Sequence, residues 1–247
     1  MAWTISLHRS RSTRVEAGCE GKNGPMAVVF ADRVDAGRRL ADRLGDFAGA
    51  DTVVLGLPRG GVPVAAEVAA ALGGALDVLV VGKIGVPGHE ELALAAVADD
   101  GQVALNPGVM AAVGMTDADV EVLAERHAAA LARRAEQLRG PAPAVPIGGR
   151  TVIVVDDGMA TGATMRVAVD VVRRAAPKEL VVAVPVASPE ACAAVAETAD
   201  RVVCLTAPAH FRAVGTWYDN FSQVPDATVR DILADARSHG AGRSTRA

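Results

Sequence analysis

Short runs of apolar, largely β-branched residues recur along this chain at 52–57, 76–81, 151–155, 180–186 and 201–205, with helical spacing between most of them. A strand that is apolar at every position must be covered on both faces, and strand alternating with helix implies parallel strands joined by right-handed crossovers. The prediction is an α/β fold: a parallel core sheet flanked by helices. Aromatic residues are scarce, with four Phe, two Trp and one Tyr among 247 residues of which 51% are hydrophobic. The core is therefore built from Ala, Val and Leu, which suits helices packed on a sheet better than an aromatic-rich sandwich.

Local signals fill in the helices. Asp32 is placed to cap a helix carrying Val34, Leu40 and Leu44, and an Ala-rich helix is predicted from Gly61 to about Leu72. A long helix over 116–138 opens with a capping-box-like Thr116/Asp119 pair. Others are expected over 162–175 and after Ser188-Pro189. Residues 92–97 and 103–105 read as a hairpin about Asp99-Asp100-Gly101, and the Gly/Pro-rich stretch over 85–91 reads as a mobile loop. Residues 1–25 are expected to be a flexible extension, 26–236 one domain, and 237–247 a flexible tail.

Charge separates the ends from the middle. Arg9, Arg11, Arg14 and Lys22 against Glu16 and Glu20 make the first 25 residues net +2; Arg237, Arg243 and Arg246 make the last eleven +3. The overall charge of −4 therefore leaves the central part near −9. Without a basic stripe interleaved with aromatics, such a body repels nucleic acid. No run approaches the roughly 20 apolar residues of a membrane span, and no signal sequence is recognisable, so a cytoplasmic protein is expected. Cys19, Cys192 and Cys204 have neither disulfide-framework nor metal-ligand spacing.

The segment Val152-Ile153-Val154-Val155-Asp156-Asp157-Gly158-Met159-Ala160-Thr161-Gly162-Ala163-Thr164 carries the chemistry. It joins a buried strand to a helix. Both carboxylates can reach one ligand if the chain leaves the strand at that point, and they would accept hydrogen bonds from neighbouring hydroxyls, as on a sugar. The following helix start offers backbone N–H groups and hydroxyls to a phosphate. A diol clamp beside a monophosphate seat describes a site for ribose 5-phosphate.

This segment closely resembles the phosphoribosyl-pyrophosphate (PRPP) motif of type I phosphoribosyltransferases, and the spelling of other segments resembles a bacterial group named only by that family. Leu57-Pro58-Arg59-Gly60-Gly61 stands where the family has its pyrophosphate loop; by itself it also reads as a tight turn. Lys83-Ile84-Gly85-Val86-Pro87-Gly88-His89-Glu90-Glu91 resembles the loop that closes over the active site. The resemblance implies a type I phosphoribosyltransferase fold with a small hood built from the chain ends. It also implies displacement of pyrophosphate from PRPP by a nitrogenous base, with Mg²⁺ carried by PRPP near Asp156 and Asp157 rather than held by the protein. Arg59, Lys83 and Glu91 become candidate catalytic residues, Asp156 to Thr164 the PRPP site, and Arg59, Gly60 and Gly61 the pyrophosphate site. A homodimer is compatible with this reading. Purine-salvage members carry an acid where this chain has Ala160, which counts against hypoxanthine or guanine as acceptor. Phe211, Trp217, Tyr218 and Phe221 cluster near the C-terminus. Trp217 and Tyr218 are candidates to stack on the acceptor; the same cluster would also serve to pin a terminal segment to the core. The alternative function is a regulator that binds PRPP or a nucleotide without turnover.

Overall fold

The structure, a computed structural model, describes residues 14–17 and 29–244, with the backbone alone at 14–17, 90, 91 and 239–244. In chain order its strands are β1 (Arg14–Ala17), β2 (Thr52–Gly56), β3 (Ala75–Val78), β4 (Val81–Val86), β5 (His89–Ala98), β6 (Val103–Leu105), β7 (Thr151–Val155), β8 (Glu179–Val186) and β9 (Arg201–Thr206). The helices are α1 (Arg33–Asp42), α2 (Gly61–Leu72), α3 (Pro107–Val113), α4 (Asp117–Arg139), α5 (Ala163–Arg174), α6 (Pro189–Ala196) and α7 (Asp226–Ser244). Six strands form one parallel sheet in the order β1-β9-β8-β7-β2-β3, and β4-β5-β6 form a separate antiparallel sheet.

The main sheet follows from the sequence pattern. Val152 to Val155 and Leu180 to Val184 are fully buried, because helices cover both faces. Leu40, Val62, Val64 and Val68 pack beneath one face, while Met165, Ala168, Val169 and Val172 of α5 cover the other. Asp32 caps α1 by accepting from the Val34 and Asp35 amides, and the Thr116/Asp119 capping box opens α4 as predicted.

The stretch read as a mobile loop is where the structure departs from expectation. Residues 81–86 are a strand, paired antiparallel with β5 so that Val86 stands opposite His89 across a two-residue turn at Pro87-Gly88. Ile84, Val86, Leu94 and Val97 turn one face of this hairpin onto Met110 of α3 and onto Val120 and Ala124 of α4. The predicted hairpin about Gly101 continues it as β5–β6. Helix α3, which sequence reasoning passed over, is capped by Asn106 with Pro107 in its first turn. At the ends, β1 pairs with β9 inside the stretch read as an extension, and α7 continues past residue 236 to Ser244. Among the described residues, no helix is long and apolar enough to cross a membrane.

A buried ionic cluster fastens α4 to the main sheet. Arg139 reaches Asp77 Oδ1 at 2.8 Å through Nε, and reaches Asp99 Oδ2 at 2.9 Å and the Val78 carbonyl at 3.0 Å through one terminal nitrogen. The three side chains are 10%, 2% and 6% exposed. The remaining carboxylate lone pairs accept from the Val78, Val80 and Val145 amides, and Arg237 donates to the Arg139 carbonyl. Burial raises the Asp99 carboxyl above its usual range, against the hydrogen bond and charge of Arg139, which lower it.

Candidate active site

β3 lies on one side of β2 and β7 on the other, so the crossovers diverge between β2 and β7. In an open parallel sheet, ligands settle outside the carboxyl ends of the strands at such a point. The register sets Gly56 opposite Val155, and the Leu57 amide donates to the Val155 carbonyl at 2.9 Å. The two loops that the sequence singles out, 57–61 and 156–164, thus start side by side.

Their approach is close enough to dictate residue type. A Cβ on Gly60 would lie 1.9 Å from Asp157 Oδ2, and one on Gly61 would lie 2.6 Å from the Val155 carbonyl oxygen and 2.8 Å from Asp156 Cα. The glycine pair is therefore more than a turn: it lets the first loop lie against the acidic pair. Replacing Gly61 by Ala meets backbone atoms of a central strand that cannot yield. Its expected cost is about 1–3 kcal/mol of stability, measurable by denaturant unfolding.

Strand β7 ends at Val155, so both aspartates are already off the strand. The Asp157 amide donates to Asp156 Oδ1 at 2.9 Å. Arg33, the first residue of α1, grips Asp157 Oδ2 through Nε and a terminal nitrogen, each at 2.8 Å, with the two side chains 11% and 14% exposed. Its other terminal nitrogen donates to the Ser222 carbonyl at 2.8 Å, and its guanidinium lies 4.0 Å from the Phe221 ring centre. Burial pushes Asp156 well above the ordinary carboxylate range, and the charge of Asp157 adds to the effect. Burial also raises Asp157, but the charge and hydrogen bonds of Arg33 oppose it. Burial and the neighbouring charge thus favour the protonated form of Asp156, while Arg33 favours the charged form of Asp157.

Beyond Asp157 the loop extends the sheet. The Met159 amide donates to the Val186 carbonyl and the Ser188 amide to the Met159 carbonyl, both at 2.9 Å, while the Ser188 hydroxyl donates to the Ala160 carbonyl at 2.8 Å. Gly162, at φ +70°, turns the chain into α5. Gly162 itself supplies no side-chain cap; the Thr161 hydroxyl accepts from the Ala163 amide at 3.4 Å, and the next amides of the first turn remain for an anionic oxygen.

The other candidates divide. Arg59, preceded by a cis Pro58–Arg59 peptide, lines a cavity of about 240 Å³ together with Leu57, Thr164 and Arg134. Lys83 instead lines a second groove of about 620 Å³ along α5, with Ala163 and Arg166, a different cavity from that of Arg59. Glu91 lies in β5, and its side chain is outside the described residues. Tyr218 is 6% exposed; its hydroxyl donates to the Asp157 carbonyl at 2.6 Å, and its ring packs on Phe30 at 5.3 Å and Phe221 at 5.0 Å between centres. Trp217 is half-buried in the same cluster. Phe30 also bridges to Tyr218, so the segment before α1 meets the segment before α7. The geometry of Tyr218 is that of an anchor tying these segments to the acidic loop. Sequence reasoning missed Arg33, Arg134 and Ser188. The first two are distant in sequence from what they touch, and Ser188 showed only as a helix start.

The family model for the phosphoribosyl transferase domain matches residues 32–220. A Mycobacterium tuberculosis protein named "Putative phosphoribosyl transferase", in two strains, is 47% identical over 205 residues, covering 83% of this chain. Those 205 residues are 46% of the relative, so the chain spans about half its length. The crystal structure of TT1426 from Thermus thermophilus superimposes with a TM-score of 0.76 at 45% identity, covering 84% of this chain and 98% of that one. With the sheet order, the paired loops and these likenesses together, the chain belongs to the phosphoribosyl transferase family and has the type I fold of a parallel sheet flanked by helices.

Proposed function

We propose that the protein transfers the 5-phosphoribosyl group of PRPP to a nitrogenous base and releases pyrophosphate. The observation that carries this reading is the convergence of the 57–61 and 156–164 loops at the switch point, which brings Arg59, Asp156, Asp157 and the open start of α5 to one end of the sheet. The 5-phosphate would be taken by the α5 start, and the ribose diol by the acidic pair. Asp157 would accept from one hydroxyl and Asp156 from the other. The diphosphate would lie along the Gly60-Gly61 backbone and Arg59.

As the C1–O bond breaks, its electron pair leaves with pyrophosphate. The acceptor nitrogen then forms the new bond to C1 and gives up its proton. Arg59 stabilises the growing negative charge on the leaving group, and the neighbouring carboxylate Asp157 favours the cationic ribose. Mg²⁺ fits this site as a passenger of the diphosphate. No three His, Cys, Asp or Glu side chains converge among the described residues, and magnesium is ordinarily held by one or two carboxylates plus substrate phosphates. Bound there, it would neutralise charge on the leaving group, with Asp156 and Asp157 the available carboxylates.

Pyrophosphate release from PRPP and Mg²⁺, measured against a panel of purine and pyrimidine bases, tests the reading. At least one base should give turnover that depends on both substrates. Tight PRPP binding with no release against any base would instead identify a binding regulator.

A further inference from the structure

The cavity beside the 57–61 loop holds two arginines, and only one belongs to a segment that the sequence singles out. Arg134, on the long helix α4, lines it with Arg59, while Leu57 and Leu79 give it an apolar wall and Thr164 ends the 156–164 loop at its edge. Both guanidiniums turn to the same carboxylate, Asp226, the first residue of α7. Arg134 makes a two-pronged contact, 2.5 Å to Asp226 Oδ2 and 2.7 Å to Oδ1, and Arg59 stands 3.8 Å from Oδ1. Each of the three side chains is about one-third exposed, so solvent and solutes reach them. The charge of Arg230 also bears on Asp226, and the hydrogen bond from Arg134 holds its carboxyl below the usual range.

Three positive groups thus face one negative group. A planar guanidinium fork closing on two oxygens is the geometry with which arginine holds a phosphate as readily as a carboxylate. The carboxylate engages both terminal nitrogens of Arg134 but Arg59 only at long range. A diphosphate, with more oxygens and more charge, can satisfy both.

The geometry points to Arg134 as a second cation of the pyrophosphate site, with Asp226 as its internal stand-in anion, which the diphosphate must displace on binding. This rests on the reading of 57–61 as the pyrophosphate loop. Displacement has a definite sign: the two partners of one ion pair affect affinity in opposite directions. If the pair served only to hold α4 to α7, losing either partner would loosen the same contact and could not raise affinity.

Calorimetric titration of the full chain with inorganic pyrophosphate and Mg²⁺ reads this directly. Arg134→Gln is expected to weaken binding about 10-fold or more, and Asp226→Asn to tighten it about 3- to 10-fold, as loss of a competing anion requires. Arg134→Lys, which keeps the charge without the fork, should fall between wild type and Arg134→Gln and serves if Arg134→Gln fails to fold. Undetectable pyrophosphate binding by the wild type, weaker or unchanged binding in Asp226→Asn, or wild-type affinity in Arg134→Gln, or in Arg134→Lys where that variant stands in, would each overturn the assignment. A parallel PRPP titration separates the two readings. PRPP binding with the wrong signs for pyrophosphate rejects the role of Arg134 and Asp226 alone, whereas the right signs without PRPP binding reject the proposed function alone.

Discussion

Replacing Arg139 by Leu is expected to lower stability by about 3–5 kcal/mol, because it strands two buried carboxylates, Asp99 without its counter-charge and Asp77 with only a more distant one. Asp77 and Asp99 are 2% and 6% exposed and share this one guanidinium, although Arg237 also stands 3.9 Å from Asp77. For a chain of this size the loss corresponds to a fall in melting temperature of roughly 10 °C. The defect should depend on pH with a definite sign. Burial already raises the Asp99 carboxyl, and without Arg139 the opposing charge is gone, so the folded state holds a proton on Asp99 that the unfolded chain releases. Stability of the variant should therefore drop further as pH rises through the raised folded-state value of Asp99, and the gap to wild type should narrow in acid. Melting curves of both proteins across the acid to neutral range check this; an equal deficit at every pH would show that lost packing, not stranded charge, is the cause.

The second large effect concerns the acidic pair. Changing Asp156 and Asp157 together to Asn keeps shape and acceptor oxygens but removes the charge, and PRPP affinity is expected to fall roughly 30- to 100-fold, about 2–3 kcal/mol. Stability should move the other way at Asp156. Its carboxyl is raised by burial, so the folded protein binds that proton more tightly than the unfolded chain does. Wild-type stability is accordingly lost as pH climbs from the unfolded value through the folded one, and Asn removes that loss. The melting temperature of Asp156→Asn alone should therefore gain on that of wild type as pH rises above the ordinary carboxylate range. Calorimetry and melting curves on the same samples separate a weakened site from a damaged fold, and unchanged PRPP affinity in the double variant would remove the acidic pair from the site.

What could be read in the chain was what neighbouring residues decide together. Four consecutive apolar residues ending in Asp156-Asp157 announced a central strand with a ligand end, and the Thr116/Asp119 box announced α4, because these signals are complete within a few positions. Strand β4 was lost for the converse reason. Gly82, Lys83 and Gly85 break its apolar alternation, and what makes it a strand is pairing with β5 and cover from α4. Asn106-Pro107 was a legible cap for α3 that hydrophobic spacing alone passed over. The site divides likewise. The loops carrying Arg59 and Asp157 spell themselves out, but Arg33 meets Asp157 across 124 positions and Arg134 meets Asp226 across 92, and no local pattern encodes such meetings. The aromatic cluster was ambiguous between stacking and anchoring, and the buried hydroxyl of Tyr218 on the Asp157 carbonyl is an anchoring contact.

The pairing of β2 with β7 joins Gly56 to Val155, with β3, the whole antiparallel sheet and α4 threaded between them. Contacts so distant in sequence are slow to form, since a long loop must close before they are rewarded. The ligand-binding end of the sheet is thus among the last parts that a refolding chain can complete, and a nascent chain cannot build it until β7 has emerged. A molecule that grips the loops after both strands would act as a removable staple across that closure.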